Sequence, residues 1–123
     1  MFEGSNEGVM YKFSYAEILE ESGAIKRERE RLALDHAIGL LDSASLSSTG
    51  SSALEAIAYT QKLWGFLISD LSNPHNELPD DLKANLISIG LWVMKEGDDI
   101  LNERSSNFTG LIEVNRAIRD GLS

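Results

Sequence analysis

Acid–base or metal chemistry in this chain would have to be assembled from two histidines, His36 and His75, and twenty aspartates and glutamates. Neither histidine has a carboxylate or a second histidine three or four residues away, the spacing that puts two ligands on one helix face. The absence of cysteine removes a thiolate nucleophile, a sulfur-ligated zinc and a disulfide framework together. Ser51 and Ser52 follow Gly50, but no lysine or second glycine stands at phosphate-loop spacing. A catalytic serine or a carboxylate pair would have to come together in three dimensions, and a deep polar pocket holding His36 or His75 with two carboxylates would be its sign. The expectation is a protein that is not an enzyme and uses no cofactor and no metal.

Recognition is the other chemistry open to these residues. Ile25 and Leu32 share one side of a helix, Tyr59 and Phe66 fall off the main stripe of the next, and Trp92 projects among Asn85, Ser88 and Glu96. With Arg116 these form the candidate partner-binding set. The plainer reading of each is packing: helical stripes usually meet the core, and scattered surface aromatics are normal. Trp92 is either covered by a terminal segment or open to a partner, and Arg116 is either a structural ion pair or a contact.

The elements that must position them follow from composition and period. At 123 residues, 42% hydrophobic and 25% charged, the chain suits one globular domain with a modest core. A net charge of −9 opposes close contact with a phosphate backbone, so direct nucleic-acid binding is not expected. No apolar run approaches the roughly 20 residues that span a bilayer, and residues 1–9 lack the regions of a signal peptide. No membrane association and a cytoplasmic location are expected. Residues 1–9 read as a leader, either a cloning remnant or an upstream start, with the natural chain beginning at Met10.

The fold class predicted is all-α, a single-domain bundle of four to five helices. Ser14 with Glu17 has the form of a capping box, with Phe13 and Ile18 as a staple, and opens a short helix that Ser22 and Gly23 interrupt. From Ala24 to Ala44, Leu34, Ala37, Ile38, Leu41 and Ala44 share one face while Ile25, Leu32, His36 and Gly39 lie opposite. Within it Lys26 to Arg31 reads as a salt-bridged, solvated face. Residues 43–52 are a serine-rich connector, read as mobile and as a hinge between two halves. Ser52 with Glu55 caps a helix to Leu71 whose stripe is Leu54, Ile57, Trp64, Ile68 and Leu71, making Trp64 structural.

A turn at Asn73 to Asn76 leads to Pro79, placed as the first residue of the next helix, with Asp80 and Asp81 complementing its dipole. Leu82, Leu86, Ile89, Gly90 and Val93 form that helix's stripe, widened by Ile87, Leu91 and Met94, and Gly90 lets a neighbour approach closely. Gly97 either ends it or the helix runs on toward Arg104. Thr109 caps a last helix to Asp120 with Gly121 as the stop. Asn115 lies on its apolar face with Leu111, Val114 and Ile118, and must find hydrogen bonds, for which a neighbouring loop is the expected partner. Asn107, Phe108 and Thr109 also form the glycosylation triplet, irrelevant to a cytoplasmic chain.

The order Leu63 Trp64, Asp70, Asn76 Glu77 Leu78 Pro79, Leu82 Lys83 Ala84, Ile87 to Val93, Leu111 to Arg116, Ile118 and Gly121 Leu122 resembles the FlaF family of flagellar biosynthesis regulators. The likeness is looser before Leu63, resting on Arg29 to Leu41. Related sequences often carry proline after the serine where this chain has Ser22 and Gly23, and the long connector and residues 1–9 also depart from the pattern. The resemblance implies a small, cytoplasmic, non-enzymatic protein that binds flagellin as an export chaperone and supports its synthesis and secretion. The alternative it implies is a post-transcriptional regulator of flagellin acting with FlbT. It assigns no catalytic residues, and the oligomeric state stays open.

Overall fold

The computed structural model describes the backbone of residues 4–47 and 50–122, and side chains from residue 23 onward. The described residues form four helices: α1 (Gly4–Leu46), α2 (Gly50–Leu71), α3 (Asp80–Leu101) and α4 (Phe108–Asp120). α1 packs on both α2 and α4, and α2 packs on α3. Lys26 of α1 pairs with Asp70 near the end of α2, so α1 and α2 run antiparallel. The all-α bundle expected from periodicity is the architecture found.

α1 is longer than its stripe suggests. Ser22 and Gly23 do not interrupt it, and residues 4–9, set aside for want of a helical period, are helical as well. A glycine inside a helix costs only about 1 kcal/mol against alanine. Gly23 is followed by a run in which Arg31 bonds Glu28 at 2.6 Å and Asp35 at 3.2 Å, support that a single glycine does not offset. The side chains of Phe13, Ser14, Glu17 and Ile18 lie outside those described, but the backbone there is already helical, so the expected capping box does not start this helix.

The serine-rich stretch is mostly helix too. α1 continues to Leu46 and α2 begins at Gly50, which places Ser43, Ser45, Ser51 and Ser52 inside helices and confines the connection to residues 47–49. It does not divide the molecule into halves, because α1 residues on one side of it and α2 residues on the other share one core. Leu34, Leu41, Ile57, Trp64, Val93 and Leu111 are all fully or almost fully buried in that cluster. Several expected stripe members stand outside it, among them Leu54 and Leu82. Leu54 is 57% exposed and Leu82 is 42% exposed, each on the correct face but beyond the reach of a covering helix.

Glycine sets the α2–α3 spacing. A Cβ on Gly90 would lie 2.8 Å from Ile68 Cγ1 and 2.9 Å from Trp64 Cε3, so the close approach expected there is real. Gly97 repeats it one heptad on, with Ile57 Cγ2 at 3.0 Å and Gln61 Nε2 at 2.8 Å from the same construction. It therefore packs rather than stops the helix. Gln61 Nε2 donates to Met94 O at 3.0 Å and to Asp98 Oδ1 at 2.8 Å across this seam.

Two helix starts differ from expectation, and the end of α3 takes the longer of its two expected courses. Pro79 is the N-cap of α3, not its first residue: its ψ of 144° is extended while its carbonyl accepts from Lys83 N at 2.9 Å. α3 ends with Glu103 at φ 60° and Arg104 N donating to Asp99 O at 2.7 Å, a left-handed cap made without glycine. Asn107, not Thr109, caps α4 by accepting from Gly110 N at 3.0 Å, and a Cβ on Gly110 would collide with that same amide. Asparagine preceding a half-buried Phe108 provides both cap and anchor, which places the helix start earlier.

Candidate functional site

Asn115 is fully buried, and its hydrogen bonds go to a helix rather than a loop. Trp64 Nε1–H donates to Asn115 Oδ1 at 2.7 Å, and Asn115 Nδ2 donates to Leu111 O at 2.7 Å. The amide thus ties α4 to the largest core side chain of α2. Arg119 Nη1 donates to Asp35 Oδ1 at 2.9 Å and joins α4 to α1; the ion pair considered for Arg116 is made instead by Arg119, because Arg119 lies on the flank that faces α1. Arg116 is exposed and makes no ion pair among the described residues.

These ties leave one end of the bundle open. A groove of about 480 Å³ lies between α1, the end of α2, the start of α3 and the last turn of α4. Its apolar floor is Leu34, Trp64, Leu67 and Leu71, and its apolar walls are Leu78, Leu86, Ile118 and Leu122. Lys26, Arg27 and Glu30 line it on the α1 side, with Asp70 in the last turn of α2 and His75, Asn76 and Glu77 on the loop between α2 and α3.

That loop is held by its asparagines. Asn73 Oδ1 accepts from His75 N at 2.8 Å and Asn76 Oδ1 accepts from Leu78 N at 3.0 Å, two consecutive side-chain turns that aim Leu78 at the groove before Pro79 sets the helix direction. Lys83 Nζ donates to Asn76 O at 3.1 Å and fixes the loop to the first turn of α3.

The charges of the rim are unevenly satisfied. Lys26 Nζ lies 2.7 Å from Asp70 Oδ2, and this hydrogen bond holds the ammonium above its ordinary pKa. Burial pushes the Glu30 carboxyl up, opposed by Lys26 and reinforced by Asp70. Neither Glu30 nor Arg27 has an ion-pair partner within 4 Å among the described residues.

The candidates named from sequence do not line this groove. Ile25 and Leu32 are exposed along α1, Phe66 is 66% exposed on α2, and Trp92 is 37% exposed on α3. Tyr59 is half-buried, with its ring 4.7 Å from that of His36 in an edge contact between α2 and α1. It serves helix packing, which is the plainer of its two readings. Of the groove walls, Leu86 reads from the sequence as part of the α3 stripe, and nothing in its spacing tells that no helix covers it; Leu78, before the helix, carries no periodic signal. His75 does sit with carboxylates here, yet it is exposed and its ring makes no hydrogen bond or ion pair with them. Among the described residues no group of three histidine, cysteine or acidic side chains could hold a metal. No described helix is long and apolar enough to cross a membrane.

A family model described as Flagellar protein FlaF matches residues 11–122. The chain belongs to the FlaF family. That match runs through both the groove and the Trp64–Asn115 tie, so the open end of the bundle is built from FlaF sequence throughout. No curated protein and no solved structure matches the chain significantly.

Proposed function

We propose that this FlaF protein is a cytoplasmic chaperone that binds unassembled flagellin and supports its synthesis and export. The observation that carries the reading is the family match over residues 11–122, which makes this a flagellar protein. Unassembled flagellin presents amphipathic terminal helices, and an all-helical protein with an uncovered apolar end can take such a helix by burying its stripe. The acidic surface, at net −9, keeps a complex of this kind soluble.

We read the protein as a binding protein, not an enzyme, and place FlbT as a further partner in the control of flagellin production. No described feature favours direct contact with flagellin message, and the net charge opposes it. Mixing the purified protein with monomeric flagellin and separating by size tests the reading: a complex at micromolar concentration is the expected result, and two unshifted components would overturn it.

A further inference from the structure

We propose that the groove is the seat for one amphipathic helix, which fills it with an apolar stripe and sets a lysine or arginine beside that stripe against Glu30. The inference deepens the flagellin reading and takes the partner's identity from it, while the groove's chemistry is argued independently.

The stripe of α3 passes from exposed to buried along one face. Leu78 just before the helix and Leu82 within it are 40% and 42% exposed, whereas Val93 on the same stripe as Leu82 is fully buried. A helix laid on the open end would continue the burial that the bundle itself gives Val93. An engineered cavity of about 150 Å³ marks the loss of one large side chain, so 480 Å³ has room for about three, the number a helix presents at i, i+4 and i+7.

Charge then selects the occupant. Glu30 is half-buried, lines the groove and makes no ion pair within 4 Å among the described residues; Lys26, bonded to Asp70, favours its charge only through space. A partly desolvated carboxylate without a direct ion pair favours an incoming cation. Arg27, unpaired on the same rim, can receive an acidic residue from the other flank and so set the direction in which the helix lies. A second copy of this chain is the poorer occupant, since each copy brings a net charge of −9.

The test uses the full chain with two probes: monomeric flagellin, and a short synthetic helix with leucines at i, i+4 and i+7 flanked by lysines, compared with the same peptide flanked by glutamates. Leu78→Glu, outside any helix, and Leu86→Glu are the groove variants, and Leu91→Glu on the exposed side of α3 is the control, each checked for wild-type helicity by circular dichroism. Groove variants are expected to weaken both probes by about tenfold or more, with the control unchanged, and Glu30→Gln to erase the preference for lysine flanks. Flagellin bound as tightly by Leu78→Glu and Leu86→Glu as by wild type would overturn the groove while leaving the chaperone reading intact. A lysine-flanked peptide lost with the groove variants, alongside flagellin that never binds, would keep the groove and remove flagellin as its partner. If neither probe binds, both proposals fall. A wild type that sediments as a dimer and becomes monomeric with Leu78→Glu would give the groove to a second copy, against the proposal.

Discussion

Leu82 and Val93 stand on the same face of α3, in one unbroken apolar period, and their surroundings are opposite. Around Val93 the helix lies hard against α2, where Gly90 and Gly97 leave no room for a methyl group. Around Leu82, two turns and more before that seam, the same face is left 42% exposed. The difference teaches that a periodic stripe declares which face of a helix gains by burial, whereas the neighbours present decide how much of it is buried. In this FlaF protein the tightly packed half supplies stability, and the open half is where we propose a partner helix binds.

The largest way to break that contrast is through Trp64, which belongs to both halves. Trp64→Ala removes the biggest buried side chain and leaves Asn115 Oδ1 without its donor, and is expected to cost about 3 to 5 kcal/mol in urea unfolding. A loss under about 1 kcal/mol would mean that the core closes without it. Gly90→Ala comes next, at about 1 to 3 kcal/mol, because Ile68 and Trp64 must move aside. Gly39→Ala, with nothing within 4 Å of its added carbon, should instead raise stability by about 0.5 to 1 kcal/mol. The opposite signs of two identical substitutions, read as shifts in melting temperature, would sharpen the packed side of the comparison.

At the open end effects should be small. Leu82→Ala is expected to cost less than about 1.5 kcal/mol, well below the 2 to 5 typical of a buried leucine, and a full core penalty there would show that the end is closed. The smallest effect is electrostatic. Burial raises the folded-state pKa of Glu30 above its ordinary value, so its ionisation opposes folding as pH rises from that value through the folded one. Glu30→Gln should therefore flatten stability over that window and leave the variant slightly more stable than wild type at neutral pH, by about half a kcal/mol or less. A variant less stable at neutral pH would assign Glu30 a structural partner.

Much of this was readable beforehand. The helix class, the existence of α2 and α3, the core role of Trp64 and the close approach at Gly90 all follow from period and residue size. Asn115 was recognisable as a polar residue needing partners, but a helical wheel gives a direction and no neighbour, so its tie to Trp64 across 51 residues of sequence was not visible. Gly23 and the serines around residue 47 misled for a common reason. Local breaking signals are worth about 1 kcal/mol, and a helix supported on both sides absorbs them. The groove was hidden because Leu86, Ile118 and Leu122 carry the same period as core residues, and a period does not tell which neighbour covers them.

The bond between Asp35 and Arg119 joins residues 84 positions apart, the first helix to the last. On a ribosome adding about 5 to 20 residues per second, Asp35 waits roughly 4 to 17 s for that partner to be made. In the later part of that interval, once Leu71 has been made, α1 and α2 can pair as a hairpin, with Trp64 still lacking the acceptor that α4 will bring. The bundle is therefore closed from its C-terminal end, and a nascent chain reaches its native topology only after its last helix is free to dock.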